Sequence, residues 1–98
     1  MKKYRPTICI LDLDQERCLR AEKALDKAIA TKGVDAIGTA NYGQNHIART
    51  GLGAHQLPAI DVDGDYFIPN PETGELTFEV LCDFLDLLIK KNKLDGPE

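Results

Sequence analysis

The pattern of apolar and polar positions divides the chain into seven segments. Residues 7–11 form a nearly continuous apolar run rich in β-branched side chains, which is typical of a strand covered on both faces. Between residues 18 and 29, apolar side chains recur every three or four positions, which predicts an amphipathic helix of about four turns. Asp14 has the chemistry of an N-cap for this helix, and Gly33 can provide the left-handed residue that ends it.

The middle of the chain predicts a strand, a short helix and a hairpin. Residues 34–42 have the composition of a strand, and residues 44–50 that of a short helix closed by glycines. The Asp-Gly pair at 63–64 separates two apolar runs, 57–62 and 66–68. Asp-Gly in this setting is a strong hairpin signal, because both turn positions need a positive φ.

The last third of the chain predicts a loop and a strongly apolar helix. Residues 69–74 form the loop, and Thr77 is an N-cap for a helix with apolar side chains over 78–89. The resulting order is β-α-β-α-β-β-α. Two parallel strands joined by a crossover helix, plus an antiparallel hairpin, can form one mixed four-stranded sheet covered by helices, which is an α/β fold. The 98 residues suit a single domain, 1–98, with its core over about 7–91.

Composition and charge narrow the classes of function. The net charge is -4 and the cations are scattered, which argues against a nucleic-acid partner. Lys90, Lys91 and Lys93 are interpreted as cations that complement the dipole at the end of the last helix. No stretch approaches the ~20 apolar residues of a membrane span, so no membrane association is expected.

The start of the chain and its cysteines predict a cytoplasmic protein. Residues 1–3 are Met-Lys-Lys, but the apolar segment that follows, 8–13, is too short for a signal peptide and contains Asp12. Three cysteines at wide spacings do not suggest a disulfide scaffold, and a reducing compartment is the simpler interpretation.

The predicted order, with Pro58 at the start of the third strand, resembles the thioredoxin and glutaredoxin superfamily. The closest local match covers residues 50–64, where a helix end, a linker, Leu57, a proline, a strand and an acidic-glycine turn follow one another. The resemblance extends over 7–91 and implies a cis peptide bond before Pro58, facing the turn near Gln15. The alternative is another small α/β sandwich in which a trans Pro58 opens an edge strand.

The resemblance also identifies a missing cysteine. The family carries a Cys-x-x-Cys motif at the start of the first helix, where the helix dipole lowers the pKa of the attacking thiol. Here Gln15 occupies the attacking position and Cys18 the resolving one, so the two-cysteine cycle is closed to this chain. Cys18, one turn inside the helix, is expected to face the core; Asp14 disfavours its thiolate, whereas Arg17 favours it.

The resemblance implies two alternative functions. The first is a binding module without the dithiol, in which Asp14, Gln15, Arg17, Leu57 and Pro58 line a groove for an extended peptide, a partner protein or a second copy of the chain. The second is a redox enzyme that uses Cys18 as its single catalytic thiol. The resemblance implies that glutathione would contact Leu57 and Pro58, although prolines replace the family's glycine pair after the hairpin.

The remaining candidates are interpreted as structural. Cys9 and Cys82 are predicted to be core residues, and His46 and His55 to be surface residues outside any metal site. Three aspartates at alternate positions precede a glutamate at calcium-loop distance, but the glycine is misplaced for such a loop, so a hairpin is predicted instead. These carboxylates are Asp61, Asp63, Asp65 and Glu72.

Overall fold

The computed structural model of the protein describes residues 5–72 and 74–96. Those ranges contain four strands, three α-helices and a short 3-10 turn at Ala54–Gln56. The elements are β1 (Thr7–Leu11), α1 (Gln15–Lys32), β2 (Ile37–Asn41), α2 (Gln44–Thr50), β3 (Ala59–Val62), β4 (Asp65–Phe67) and α3 (Phe78–Lys90). The chain start at residues 1–3, and residue 73 of the predicted loop, lie outside the described residues.

Local capping chemistry fixes the ends of the two long helices. The Asp14 side chain accepts a hydrogen bond from the Arg17 backbone N–H at 3.1 Å, and α1 ends at Gly33 with a φ of 67°. The Thr77 hydroxyl accepts from the Val80 N–H at 3.2 Å and starts α3. Each of these caps confirms the sequence prediction. α1 runs for 18 residues between its two predicted caps, which is five turns rather than the four inferred from the apolar spacing.

The strands form one mixed four-stranded sheet in the order β2-β1-β3-β4, which confirms the α/β class. β1 pairs with β2 in parallel and with β3 antiparallel, while β4 pairs antiparallel with β3. Leu11, the last residue of β1, lies opposite Asn41 of β2 and Ala59 of β3. The ends of the two parallel strands therefore meet the beginning of β3 at one end of the sheet.

The hairpin is the one predicted, whereas β2 is shorter. Asp63 and Gly64 have φ values of 51° and 96°, and the Asp61 carboxylate accepts the Gly64 N–H at 2.7 Å. β2 begins only at Ile37, because the preceding residues connect α1 to the sheet instead of pairing within it. The Ile37 N–H donates to the Pro6 carbonyl at 2.9 Å, just before the parallel ladder starts.

The apolar core lies on one face of the sheet, beneath α1 and α3. Alternate residues of β1 and β3 point into it and meet the buried side chains of the two helices. The buried strand residues are Ile8, Ile10, Ile60 and Val62, and the buried helix residues are Cys18, Ala21, Leu25, Ala28, Leu81, Phe84, Leu85 and Leu88. These four strand residues and two helices make up most of the core.

The opposite face of the sheet is only partly covered, which corrects the prediction of helices over both faces. The short α2 covers one end, where Ile47, Leu57 and Ala59 form a small second cluster. Beyond it, Cys9 is partly buried rather than in the core as predicted, because it points to this face. Its row across the sheet is Thr39, Cys9, Asp61 and Tyr66.

Three further predictions need correction. Leu19 and Leu87 fit the apolar periodicity of their helices, but they are 38% and 40% exposed, because each lies at the margin of its buried stripe. The Lys93 ammonium bonds to the Asp65 carboxylate at 2.7 Å, so it ties the chain after α3 to the hairpin rather than complementing the helix dipole.

Among the described helices, none has both the length and the apolar character needed to cross a membrane.

Candidate functional site

The candidate site lies at the end of the sheet where β1 and β2 finish and β3 begins. The Leu11–Ala59 pairing places the turn leading into α1 beside the loop that precedes β3. The Asp12 N–H donates to the Asn41 carbonyl at 3.3 Å and extends the parallel ladder by one residue. Gln15 and Pro58 thus approach the same end of the sheet, and the Leu57–Pro58 peptide bond is cis, as the family resemblance implies.

Asp12 organises the turn between β1 and α1. Its side chain is fully buried, and its carboxylate accepts the backbone N–H groups of Leu13 at 2.8 Å and Asp14 at 3.3 Å. The Arg17 guanidinium completes the shell by donating through Nε and through Nη2, the latter at 2.7 Å to Oδ1. Four hydrogen bonds therefore surround the carboxylate that directly follows the first strand.

Arg17 connects this turn to the loop after β4. Its hydrogen bond to Asp12 raises the pKa of the guanidinium above its ordinary value, although partial burial opposes this effect. Asp14 and Glu75 add smaller favourable electrostatic contributions to the same pKa. Glu75, in the segment between β4 and α3, therefore lies within electrostatic range of Arg17.

Gly74 brings the same loop against the proline. A side-chain Cβ placed there would lie 3.3 Å from the Pro58 Cδ and 3.5 Å from the Leu57 carbonyl oxygen. Gly74 also has a φ of 75°, a conformation that residues with a Cβ rarely adopt. The Leu57 side chain is buried, and its N–H donates to the Ala54 carbonyl at 3.2 Å, so that N–H already has an acceptor within the chain.

Cys18 lies beneath the site rather than in it. Its side chain is 0% exposed, and its thiol donates to the Ile10 carbonyl at 3.7 Å and approaches the Asn41 carbonyl at 3.8 Å. Desolvation by burial, followed by the charge of Asp12, raises the pKa of the thiol to about 11. At neutral pH the group is a buried thiol, which is a poor nucleophile.

The side chains that face solvent at this end of the sheet include acidic, amide and large apolar groups. Asp14 and Gln15 are exposed at the first turn of α1. Leu13 is 44% exposed and Tyr42 is 41% exposed, on the two adjacent loops that follow β1 and β2. Exposed apolar side chains mark a contact surface for another chain where they form a contiguous patch.

The other predicted candidates are distributed elsewhere. His46 and His55 are exposed, one in α2 and the other in the 3-10 turn. Asp61 caps the hairpin turn and Asp65 is held by Lys93. Within the described ranges, no group of three or more His, Cys, Asp or Glu side chains converges in an arrangement that could hold a metal ion.

Sequence reasoning missed Asp12, Gly74 and the exposed pair Leu13 and Tyr42. A carboxylate directly after an apolar strand, five residues before an arginine, was the available signal for the first of these. No comparable signal marked Gly74, because its contact with Pro58 depends on how the loop returns across the sheet. Comparisons of the chain with protein-family models, with curated proteins and with solved structures find no match.

Proposed function

We propose that the chain is a thioredoxin-fold binding module without the dithiol, which holds an extended segment of a partner protein beside Leu57 and Pro58. The β2-β1-β3-β4 order and the element sequence support the thioredoxin-like part of the proposal. The observation that carries the binding part is the hydrogen-bonded Asp12–Arg17 turn, which lies at the same end of the sheet as the Leu57–Pro58 loop. Leu13 is exposed in this turn and Tyr42 on the neighbouring loop.

The contacts favour side-chain recognition over backbone pairing at Leu57. Family members present this residue's N–H and C=O to a peptide, but here the N–H donates to Ala54. Leu13 and Tyr42, exposed on the adjacent loops after β1 and β2, therefore provide the apolar contact area in this proposal. A partner segment with apolar side chains would gain from desolvating both residues.

No observation favours the alternative in which Cys18 acts as a single redox thiol. The thiol is fully buried and its pKa is raised to about 11, which opposes both access and ionisation. Glutathione has no thiolate partner at the solvent-facing end of the site, because Gln15 occupies that position.

Selection from a random peptide library displayed on phage tests the proposal. Peptides enriched on the wild-type protein are expected to lose about tenfold in affinity for Leu13→Asp and for Tyr42→Asp, because each variant places a charge in the contact surface. Leu19→Asp is the matched control: it changes an equally large leucine that is 38% exposed on α1, and it should leave affinity unchanged.

Two outcomes contradict the proposal. The first is that no peptide is enriched above a surface coated with an unrelated protein. The second is that enriched peptides bind Leu13→Asp and Leu19→Asp equally well, which would place their site elsewhere on the molecule. Circular dichroism of each variant shows whether a loss of affinity comes from a loss of fold.

A further inference from the structure

A concave surface lies between β4 and α3, outside the Asp12–Arg17 turn. It encloses about 340 Å³, and its floor is formed by Phe67 and Phe84, whose rings meet edge to face at 5.4 Å. Ile68 and Pro69 form one wall. Val80, Asp83 and Leu87 form the other, at the spacing of one helix face. We name this surface the β4–α3 cleft.

The strand beside the cleft has an unpaired outer edge. β4 is the last strand in the sheet order, and no other described strand pairs with its far side. Val62 and Asp65 close the two-residue hairpin as a hydrogen-bonded pair, so the next residue, Tyr66, directs its backbone N–H and C=O outward. An extended chain could therefore add to β4 through Tyr66 while placing alternate side chains over the cleft.

The charge of the cleft determines the kind of chain that fits. Asp83 is the only charged residue in the lining, it is exposed, and no cation of the described residues bonds to it. α3 as a whole carries Glu79, Asp83 and Asp86 against the single cation Lys90. An anionic ligand is disfavoured here, whereas a basic side chain can place its apolar stem on the lining and its charge at Asp83.

The geometry points to the β4–α3 cleft as a docking site for an extended basic peptide segment, which pairs with the outer edge of β4 and places an apolar and a basic side chain against α3. The lining from Val80 to Leu87 spans about 10 Å along the helix, which matches about three residues of an extended strand. Side chains two positions apart in the segment thus reach the Phe84 floor and Asp83 together. This site does not depend on the proposed function at the Asp12–Arg17 turn.

Two blocked pentapeptides test the inference by NMR titration of the isotopically labelled full chain. The first is acetyl-Thr-Leu-Thr-Lys-Thr-amide, and the second has glutamate in place of lysine. The lysine peptide is expected to shift the amide signals of Tyr66, Phe67 and the Val80–Leu87 stretch, and to bind more tightly than the glutamate peptide. In Asp83→Asn, the ratio of the affinity for the lysine peptide to that for the glutamate peptide should fall by up to about fivefold, as for the loss of an exposed ion pair.

Matched variants separate the contributions. Glu79→Gln removes a charge one turn away on α3, outside the lining, and should leave both affinities unchanged. Leu87→Ser changes an exposed wall residue and should weaken both peptides. Equal affinities for the two peptides, shifts outside the cleft, or an Asp83→Asn variant that binds like wild type would each overturn the inference.

A second copy of the chain is the other occupant that the test can identify. If β4 edges of two molecules paired, the same amide signals would shift with protein concentration in the absence of peptide. Signals that do not change on dilution support the peptide as the occupant, and concentration-dependent shifts overturn it. Loss of peptide binding in Leu13→Asp, with Asp83→Asn unaffected, would overturn it in favour of the Asp12–Arg17 turn.

Discussion

The two faces of the sheet differ in how the same strands are used. On the face beneath α1 and α3, Ile8 and Ile10 are fully buried among apolar side chains. On the opposite face, their neighbour Cys9 is only partly buried and lies in a row with Thr39 and Asp61. The apolar run of β1 therefore has one face in the core and one face that is only partly covered. Polar residues of the paired strands, Thr39 and Asp61, mark the partly covered face.

The difference between the two faces indicates which one provides most of the stability and which one is accessible to partners. The closed face has two helices of 18 and 13 residues over four buried strand residues, whereas the other face has only the seven-residue α2 at one end. Burial of apolar area is the main favourable term in folding, so the closed face dominates stability. The open face and the sheet ends are where changes should alter contacts rather than folding.

Thiol labelling gives the largest expected contrast, because Cys9 and Cys18 report on the two faces. Iodoacetamide should modify Cys18 more slowly than Cys9, by on the order of a thousandfold, since Cys18 reacts only after the core opens. Burial raises the pKa of both thiols, and that of Cys18 to about 11, so neither is a ready thiolate at neutral pH. Mass spectrometry of the digested protein measures both rates.

Labelling in denaturant provides the control, because both cysteines should then react at similar rates.

The raised pKa of Cys18 also predicts how the stability of the fold changes at alkaline pH. The folded state holds this proton up to about pH 11, whereas an unfolded thiol loses it above about pH 8.5. Stability should therefore fall as pH rises between these values, and Cys18→Ala should reduce that fall. In the labelling experiment, equal rates for Cys9 and Cys18 in the native protein would contradict the comparison of the two faces.

Truncation of a helix residue gives the next largest contrast. Leu25 is fully buried in α1 beneath the closed face, and Leu25→Ala should lower the free energy of unfolding by about 3 kcal/mol through lost burial and a cavity. Leu19→Ala, in the same helix but 38% exposed, should cost less than about 1 kcal/mol. Urea denaturation measures both, and comparable losses would show that the margin of α1 is packed as tightly as its centre.

The sequence predicted the features that depend on nearby residues. The caps at Asp14, Gly33 and Thr77, and the turn at 63–64, follow from hydrogen bonds or φ values set within a few residues of each position. The exposure of Leu19 could not be predicted this way. It depends on how wide a stripe the sheet covers, and helical periodicity does not contain that information.

The candidate site was less predictable because its contacts join distant segments. Pro58 lies directly before β3, which begins at Ala59, two residues later than the predicted run. Its neighbour Gly74 comes from a loop 16 positions later. The cleft between β4 and α3 likewise requires knowledge of how the last helix lies on the sheet. Cys9 was assigned to the core because its own strand is apolar, whereas its burial depends on the partly covered face to which it points.

Asp12 provides the last and smallest contrast, at the boundary between the two faces. It is the one charged residue among the described positions that is fully buried, and it takes hydrogen bonds instead of apolar contacts. Asp12→Ala should lower the free energy of unfolding by about 2 kcal/mol, because the Leu13 N–H and the Arg17 guanidinium lose their acceptor. The loss stays below that of Leu25→Ala because Arg17 is partly exposed and water can replace the carboxylate.

Asp12→Asn is the matched control, because it keeps an acceptor of the same shape but removes the charge. Urea denaturation should show an intermediate loss in the free energy of unfolding for this variant. If Asp12→Ala proved neutral while Leu25→Ala did not, the hydrogen bonds of Asp12 would not be what holds the turn. The proposed contact surface at the Asp12–Arg17 turn would then lose its physical basis.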